Sequence, residues 1–221
     1  MGTQFNSPGL VPTRSSFTSR EWRLIRRLST PRSVQNYLHS LPYNHEKGGE
    51  TLRSFRQSFA RGSVHCLEAA LMAATILEQH GYPPLLLSFE SVDLLDHVIF
   101  IFRQRGRWGS VARSRDAGLH GRRPIFRTLR DLAWSYFDPY VDLSGRLKGY
   151  APVSLYELGN YNWRFSKRNL WKLERFLVAY PHRPMVSSNA RYQRLFRRYH
   201  AYRQDHPTGP VVYYSNRRQW M

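Results

Sequence analysis

The sequence holds one cysteine, Cys66. No disulfide can form within the chain, so packing and hydrogen bonding must hold the fold, and a reducing, cytoplasmic setting is the expectation. Lysine is scarce as well; Lys47, Lys148, Lys167 and Lys172 are the four present. Acidic residues are few, 15 against 34 Lys plus Arg, which leaves a formal net charge of +19 at pH 7. Long apolar runs are missing. The longest extend over about ten residues, half of what a membrane-spanning helix needs, so no transmembrane segment is expected. No basic start precedes an apolar stretch at the N-terminus, so no secretory leader is expected either. The nine histidines include no H-E-x-x-H and no H-x-x-x-H pair with a nearby ligand, and a single cysteine makes C-x-x-C impossible. The phosphate-cradling patterns G-x-x-x-x-G-K-S/T and G-x-G-x-x-G are absent too. The expectation is a protein with no metal and no cofactor, which argues against nucleotide-dependent chemistry.

What remains is an ordinary globular composition. The 221 residues are 41% hydrophobic and 22% charged, enough for one domain with a substantial core. The basic excess is unevenly placed. Residues 1–33 carry net +5, residues 34–159 net +3, and residues 160–221 net +11. The middle is nearly balanced, so the ends are where an anionic partner would be met.

Residues 1–19 are rich in Ser, Thr, Gly and Pro and read as a flexible arm. REWRLIRRL (20–28) is a short basic amphipathic helix, and Pro31 opens a second with Val34, Leu38 and Leu41 at helical spacing. Residues 42–50 form a loop. The strongest pattern lies at 62–81, GSVHCLEAALMAATILEQHG, where Gly62 and Ser63 suit a helix start and only Glu68 and Thr75 are polar between Cys66 and Leu77. A helix apolar around most of its girth is buried on most sides. Gly81, Pro83 and Pro84 end it. Three strands follow at Leu85–Phe89, Asp96–Arg103 and from Arg107, with a GR turn between the last two. Residues 124–140 read as a helix opened by Pro124, residues 141–165 as loop, and Lys167–Tyr180 and Asn189–Arg203 as two further helices. The last twelve residues read as loosely ordered. A helix followed by an antiparallel meander makes the class α+β, with a flexible arm (1–19), a core with N-terminal helices (20–160) and a basic helical C-terminal extension (161–221).

Cys66 starts the buried helix. Unpaired N–H groups and the helix dipole there favour thiolate over thiol, and the thiolate is the nucleophile. The same amides suit a tetrahedral oxyanion. His97, at the head of the second strand, is a candidate general base and then acid toward a leaving amine. A lone cysteine in an apolar helix is more often a small core residue, and a lone histidine more often a structural one.

Taken in order, G62-S-V-H-C66, the long apolar helix, G81-Y-P-P84, D96-H97-V-I-F-I-F and R107-W108-G-S-V resemble the core of the transglutaminase-like superfamily, over about residues 60–140. The resemblance implies a papain-like arrangement, a central helix packed on a small antiparallel sheet. Members use Cys, His and Asp to hydrolyse or transfer acyl groups at amides, and some have lost activity. By position, Cys66 would be nucleophile and His97 general base. The third member departs from the pattern. The family places an Asp about four residues after the strand Trp, and Ala112 stands there. Ala112, Ser114 and Asp116 share a face on a strand, so the resemblance leaves three options for orienting His97: Asp116, Ser114, or nothing.

Other polar residues carry weaker expectations. His65, taken as the helical neighbour of Cys66, would point roughly 100° away and make a poor base. Glu68 suits the helix N-terminus, a buried pair with an arginine, or the cleft, and next to a thiol it would oppose ionisation. His120 is a loop histidine within reach of a cleft. Gln35 and Asn44 are amides upstream of Cys66 that suit an oxyanion, with turn and surface roles the commoner reading. In the C-terminal third, YNWRFSKRNLWK and RYQRLFRRYHAYR interleave arginine with aromatics, a composition that suits single-stranded nucleic acid. The aromatics fall at the 3–4 spacing of a packed helix face, which is the blander reading. Two functions follow. One is a cysteine-dependent hydrolase or acyltransferase acting on a peptide or protein amide. The other is a catalytically degenerate module on the same fold that binds an acidic protein or nucleic acid through its basic helices.

Overall fold

A computed structural model describes residues 11–93, 97–141, 145–209, 211 and 216–221. Helices α1 (Ser19–Arg27), α2 (Pro31–Ser40), α3 (Phe55–Arg61) and α4 (Cys66–Glu78) come first. Strands β1 (Leu85–Ser91), β2 (His97–Gln104), β3 (Arg107–Val111) and β4 (Arg122–Phe126) follow, then helices α5 (Leu129–Trp134) and α6 (Phe137–Tyr140). Strand β5 (Leu147–Ser154), helix α7 (Trp171–Val178), the two-residue strand β6 (Arg183–Pro184) and helix α8 (Asn189–Asp205) complete the order.

The early helices carry their own start signals. Thr18 Oγ1 accepts from Glu21 N while Glu21 Oε2 accepts from Thr18 N, a reciprocal capping pair. Thr30 and Ser33 repeat the arrangement at α2, with Pro31 at its first position. Ser54 and Gln57 do so at α3. Gly62 closes α3 in the left-handed region, φ +67°, so Gly62 and Ser63 terminate one helix instead of starting the next.

The strands form one six-stranded sheet in the order β4-β3-β2-β1-β5-β6, with every pair antiparallel. Alternation along the strands feeds two cores. Leu86, Phe100, Phe102 and Val153 meet α4 and the N-terminal helices, whereas Leu85, Leu87, Phe89, Ile99 and Ile101 meet α5, α6 and α8. Because both faces are covered, LLLSF and HVIFIF read as continuous apolar runs. Helix α4 is buried at every position from Leu67 to Glu78. Truncating a core leucine such as Leu71 to alanine is expected to cost about 2–5 kcal/mol. The α+β class and the central buried helix on an antiparallel sheet are both present.

Several boundaries differ from expectation. Pro124 lies in strand β4, and the helix expected over 124–140 is two short ones beginning at Leu129. The 141–165 segment, expected as loop, contributes β5, an inner strand beside β1. Asp96, expected to open β2, lies outside the described residues. Within the expected arm, the described part is structured: Arg14–Ser16 form a 3-10 turn, and buried Phe17 meets Phe55 and Phe165 edge-on. In the C-terminal stretch, Trp163, Leu170, Leu173 and Leu177 join the same core as α4, and β6 extends the sheet. Tyr192, Leu195 and Phe196 of α8 pack on the second core, as their spacing predicts, while Arg194, Arg197 and Arg198 are exposed. Among the last twelve residues, Trp220 bridges Arg122 and Met221 N donates to Gly121 O.

Candidate active site

The site is assembled at the N-terminal end of α4. Val64, fully buried, pairs with Tyr43 through a parallel bridge and so ties the 42–51 loop to the helix entrance. His65 is the N-cap, with an extended backbone at φ −95°, ψ −174°. Three residues on, Glu68 accepts from His65 N at 3.1 Å. Glu68 is wholly buried and held by Arg53 through Nε (2.6 Å), NH2 (2.8 Å) and the backbone N (3.0 Å), with Asn44 and Thr51 also donating. Burial pushes this carboxyl up, but the Arg53 hydrogen bonds and the charges of His65 and Arg53 bring it below its ordinary value. Glu68 thus both favours the helix N-terminus and forms a buried pair with an arginine.

Cys66 is half-buried and lines a cavity of about 460 Å³ together with His65, His97, Ser114, Asp116 and Leu119. All four site residues expected from the sequence therefore share one cleft. Burial raises the Cys66 thiol pKa, yet hydrogen bonding from His65 and His97 and their charges draw it down to about 5. The two imidazoles thus favour thiolate over thiol. His65 is the residue that the sequence reading misjudged. The 100° rule applies within a helix, and His65 stands just outside it. Its Nε2 lies 3.0 Å from the Thr51 carbonyl, 3.5 Å from Glu68 and 3.9 Å from Glu46. Burial lowers the imidazole pKa, but its bond to Cys66 and the negative charges of Cys66 and Glu68 raise it to about 9. Glu68 therefore supports the thiolate by holding a cation beside it, which reverses the opposition expected of a bare carboxylate.

His97 heads β2 and is 3% exposed. Its ring stacks on Phe89 and tilts against Tyr136, with centroids 6.1 and 5.9 Å away. Nε2 lies 3.1 Å from the Leu119 carbonyl. A carbonyl only accepts, so the proton sits on Nε2 and Nδ1 is left for the thiol.

Ala112 is buried, and Gln35 grips its backbone at both ends: Nε2 donates to the Ala112 carbonyl (2.8 Å) and Oε1 accepts from its N–H (2.9 Å). Gln35 is therefore a structural clamp with its amide fully engaged. Asn44 likewise donates to Thr51 and Glu68. Ser114 Oγ accepts from Asp116 N at 3.3 Å. The hydrogen bond seen at His97 Nε2 goes to Leu119 and not to Ser114 or Asp116. His120 packs against His39, with ring centroids 4.8 Å apart, and its Nε2 lies 2.9 Å from the Ser114 carbonyl. Burial, with the charges of His39 and Arg113, lowers its pKa to about 4, against the Ser114 bond. For an oxyanion the first amides of α4 remain the donors in place, because the helix's own ladder begins only with Ala69 N on the His65 carbonyl, 2.9 Å.

Among the described residues, no group of three His, Cys, Asp or Glu is arranged to hold a metal, and no helix is long and apolar enough to cross a membrane. No family model matches the chain.

Proposed function

We propose that the protein is a cysteine-dependent hydrolase or acyltransferase acting on amide bonds of peptides or proteins, with Cys66 as nucleophile and His97 as its proton carrier. The observation that carries this reading is a thiol drawn down to about 5 at a helix N-terminus, between two imidazoles, in a cavity of about 460 Å³. An inert core cysteine in apolar surroundings has its pKa raised.

The thiolate attacks the amide carbon, a C–S bond forms, and the charge moves to oxygen before the amides of α4. His97 delivers a proton to the nitrogen as the C–N bond breaks, and the amine leaves. The acyl thioester then yields to water, or to a second amine, whose proton returns to His97. His65, kept cationic by Glu68, holds the sulfur ionised throughout. The cleft wall carries Glu46, Glu50, Glu174, Asp93 and Asp116 against Arg115, which disfavours polyanions there in a chain of net +19. Nucleic acid or an acidic protein as an alternative partner is thereby confined to the exterior, where Arg194, Arg197 and Arg198 of α8 are exposed.

The test is the pH dependence of iodoacetamide alkylation at the sole cysteine, in wild type and in His97→Ala, followed by a peptide-amide screen with Cys66→Ser as control. Reaction well below pH ~8.5, the ordinary thiol value, and a shift of that limb to higher pH in His97→Ala, with the His65 contribution remaining, are expected. An ordinary thiol titration would overturn the proposal.

A further inference from the structure

The chain lacks a carboxylate at the family's orienting position, and the structure shows what stands in its stead. The Leu119 carbonyl faces His97 Nε2, and that carbonyl sits in a turn tethered on both sides by one buried side chain. Arg122 is 1% exposed. Its NH2 donates to the Gly118 carbonyl (2.5 Å) and its NH1 to the His120 carbonyl (2.7 Å), the residues on either side of Leu119. Nε and NH2 bind Ser135 Oγ (3.3 Å) and its carbonyl (3.2 Å), which anchors the guanidinium to α5. Its Cζ lies 4.2 Å from the centroid of the Tyr136 ring, the ring that also contacts His97, and Tyr136 OH donates a second bond to the His120 carbonyl at 3.0 Å. Space is closed at the neighbouring Gly121, where a Cβ would clash with Gln35 Oε1 and the Ser110 carbonyl.

Burying an arginine among carbonyls is costly, and no described carboxylate forms a salt bridge with it. A lysine ammonium is a point donor without the guanidinium fork, so it cannot span three carbonyls and a hydroxyl in fixed geometry. We infer that Arg122 is the positioning residue of the site: by tethering Gly118 and His120 it aims the Leu119 carbonyl at His97 Nε2, fixing the tautomer that presents Nδ1 to Cys66. The inference rests on the cysteine-hydrolase reading for its purpose, but not for its geometry.

The experiment pairs two readouts. Imidazole nitrogen NMR gives the His97 tautomer, and the alkylation profile gives the Cys66 titration. The tautomer is read in a Cys66→Ala background at alkaline pH, where no thiolate holds a second proton on the ring; with Arg122 in place it should be Nε2–H. Arg122→Lys should mix the tautomers and raise the alkylation midpoint by about one pH unit, which slows alkylation about tenfold at pH 4 and about twofold at pH 6. Should Arg122→Lys fail to fold, Tyr136→Phe decides, because it removes the second donor to His120 while keeping the ring. It should move both readouts in the same direction by a smaller factor. An Nδ1–H tautomer in that background with Arg122 in place would overturn the inference. So would a folded variant with a lower melting temperature but unchanged tautomer and profile, since that is a merely structural role. An ordinary Cys66 titration beside a normal Nε2–H tautomer would sink the hydrolase reading and leave the Arg122 tether standing.

Discussion

The two ends of α4 solve one problem in opposite electrostatic settings. Each buries a glutamate against an arginine, Glu68 with Arg53 in the first turn and Glu78 with Arg164 in the last. Glu68 has the helix dipole in its favour, a backbone N–H from His65 and further donors from Asn44 and Thr51. Glu78 has Arg164 Nε and NH2 and an unfavourable dipole. Burial raises both carboxyls. The extra donors reverse this at Glu68, whose pKa is lowered, whereas at Glu78 the Arg164 pair does not suffice and the pKa stays raised. The same charge pair is thus a support at one end and a tolerated strain at the other. The end that collects donors is the end that holds the thiolate.

Glu68→Gln should break the contrast most severely. It strips the charge from a buried pair and frees Arg53, at about 3–5 kcal/mol in urea unfolding. It also removes the anion that keeps His65 cationic, so the alkylation limb should move to higher pH. Gln35→Ala should cost about 2–4 kcal/mol by orphaning the Ala112 N–H and carbonyl in the core, without moving the thiol titration. A third test uses pH. Cys66 has a depressed pKa, so its stabilisation is present above the unfolded thiol value and is lost as pH falls through about 5. His65 has a raised pKa, so its contribution is complete below about 6.5, the unfolded value, and is lost as pH rises through about 9. Thiol reactivity should therefore hold a plateau between those limits, and the acid limb of stability near pH 5 should weaken in Cys66→Ala. Glu78→Gln should have the smallest effect. Because a raised carboxyl stabilises the fold at low pH and progressively less as it ionises, the neutral amide should change the melting point little at pH 7, within about 1 kcal/mol. It should leave alkylation untouched. A large loss there would erase the asymmetry.

Much of this was legible in the sequence, for physical reasons that also explain the misses. Ten apolar positions around one helix announce burial whatever the tertiary context, and a cysteine at its head announces the dipole. His65 was hidden because its role depends on standing one residue outside the helix. The H-x-x-E spacing to Glu68, that of a capping pair, is the signal that would have placed it there. Strand β5 was hidden by Gly149 and Pro152 in LKGYAPVS. Its outer neighbour β6 pairs only with Gly149 and Tyr150, so beyond them β5 is an edge and a proline is tolerated. Pro124 misled for the same reason, since β4 is the other edge of the sheet and a proline there mimics a helix start. Arg122 carries no motif at all. A guanidinium that binds carbonyls has no sequence partner to covary with in spacing, and only the folded turn reveals it.

Those prolines bear on how the molecule meets its own copies. An open antiparallel sheet offers a row of amides at each margin, on which a second chain can template a strand. Here one margin is β4, interrupted by Pro124 and covered at Arg122 by Trp220, and the other is the two-residue strand β6, which ends in Pro184, followed by the uncovered end of β5, interrupted by Pro152. Neither margin presents an uninterrupted ladder. A protein whose inner strands are as apolar as LLLSF and HVIFIF is thereby guarded against edge-to-edge polymerisation.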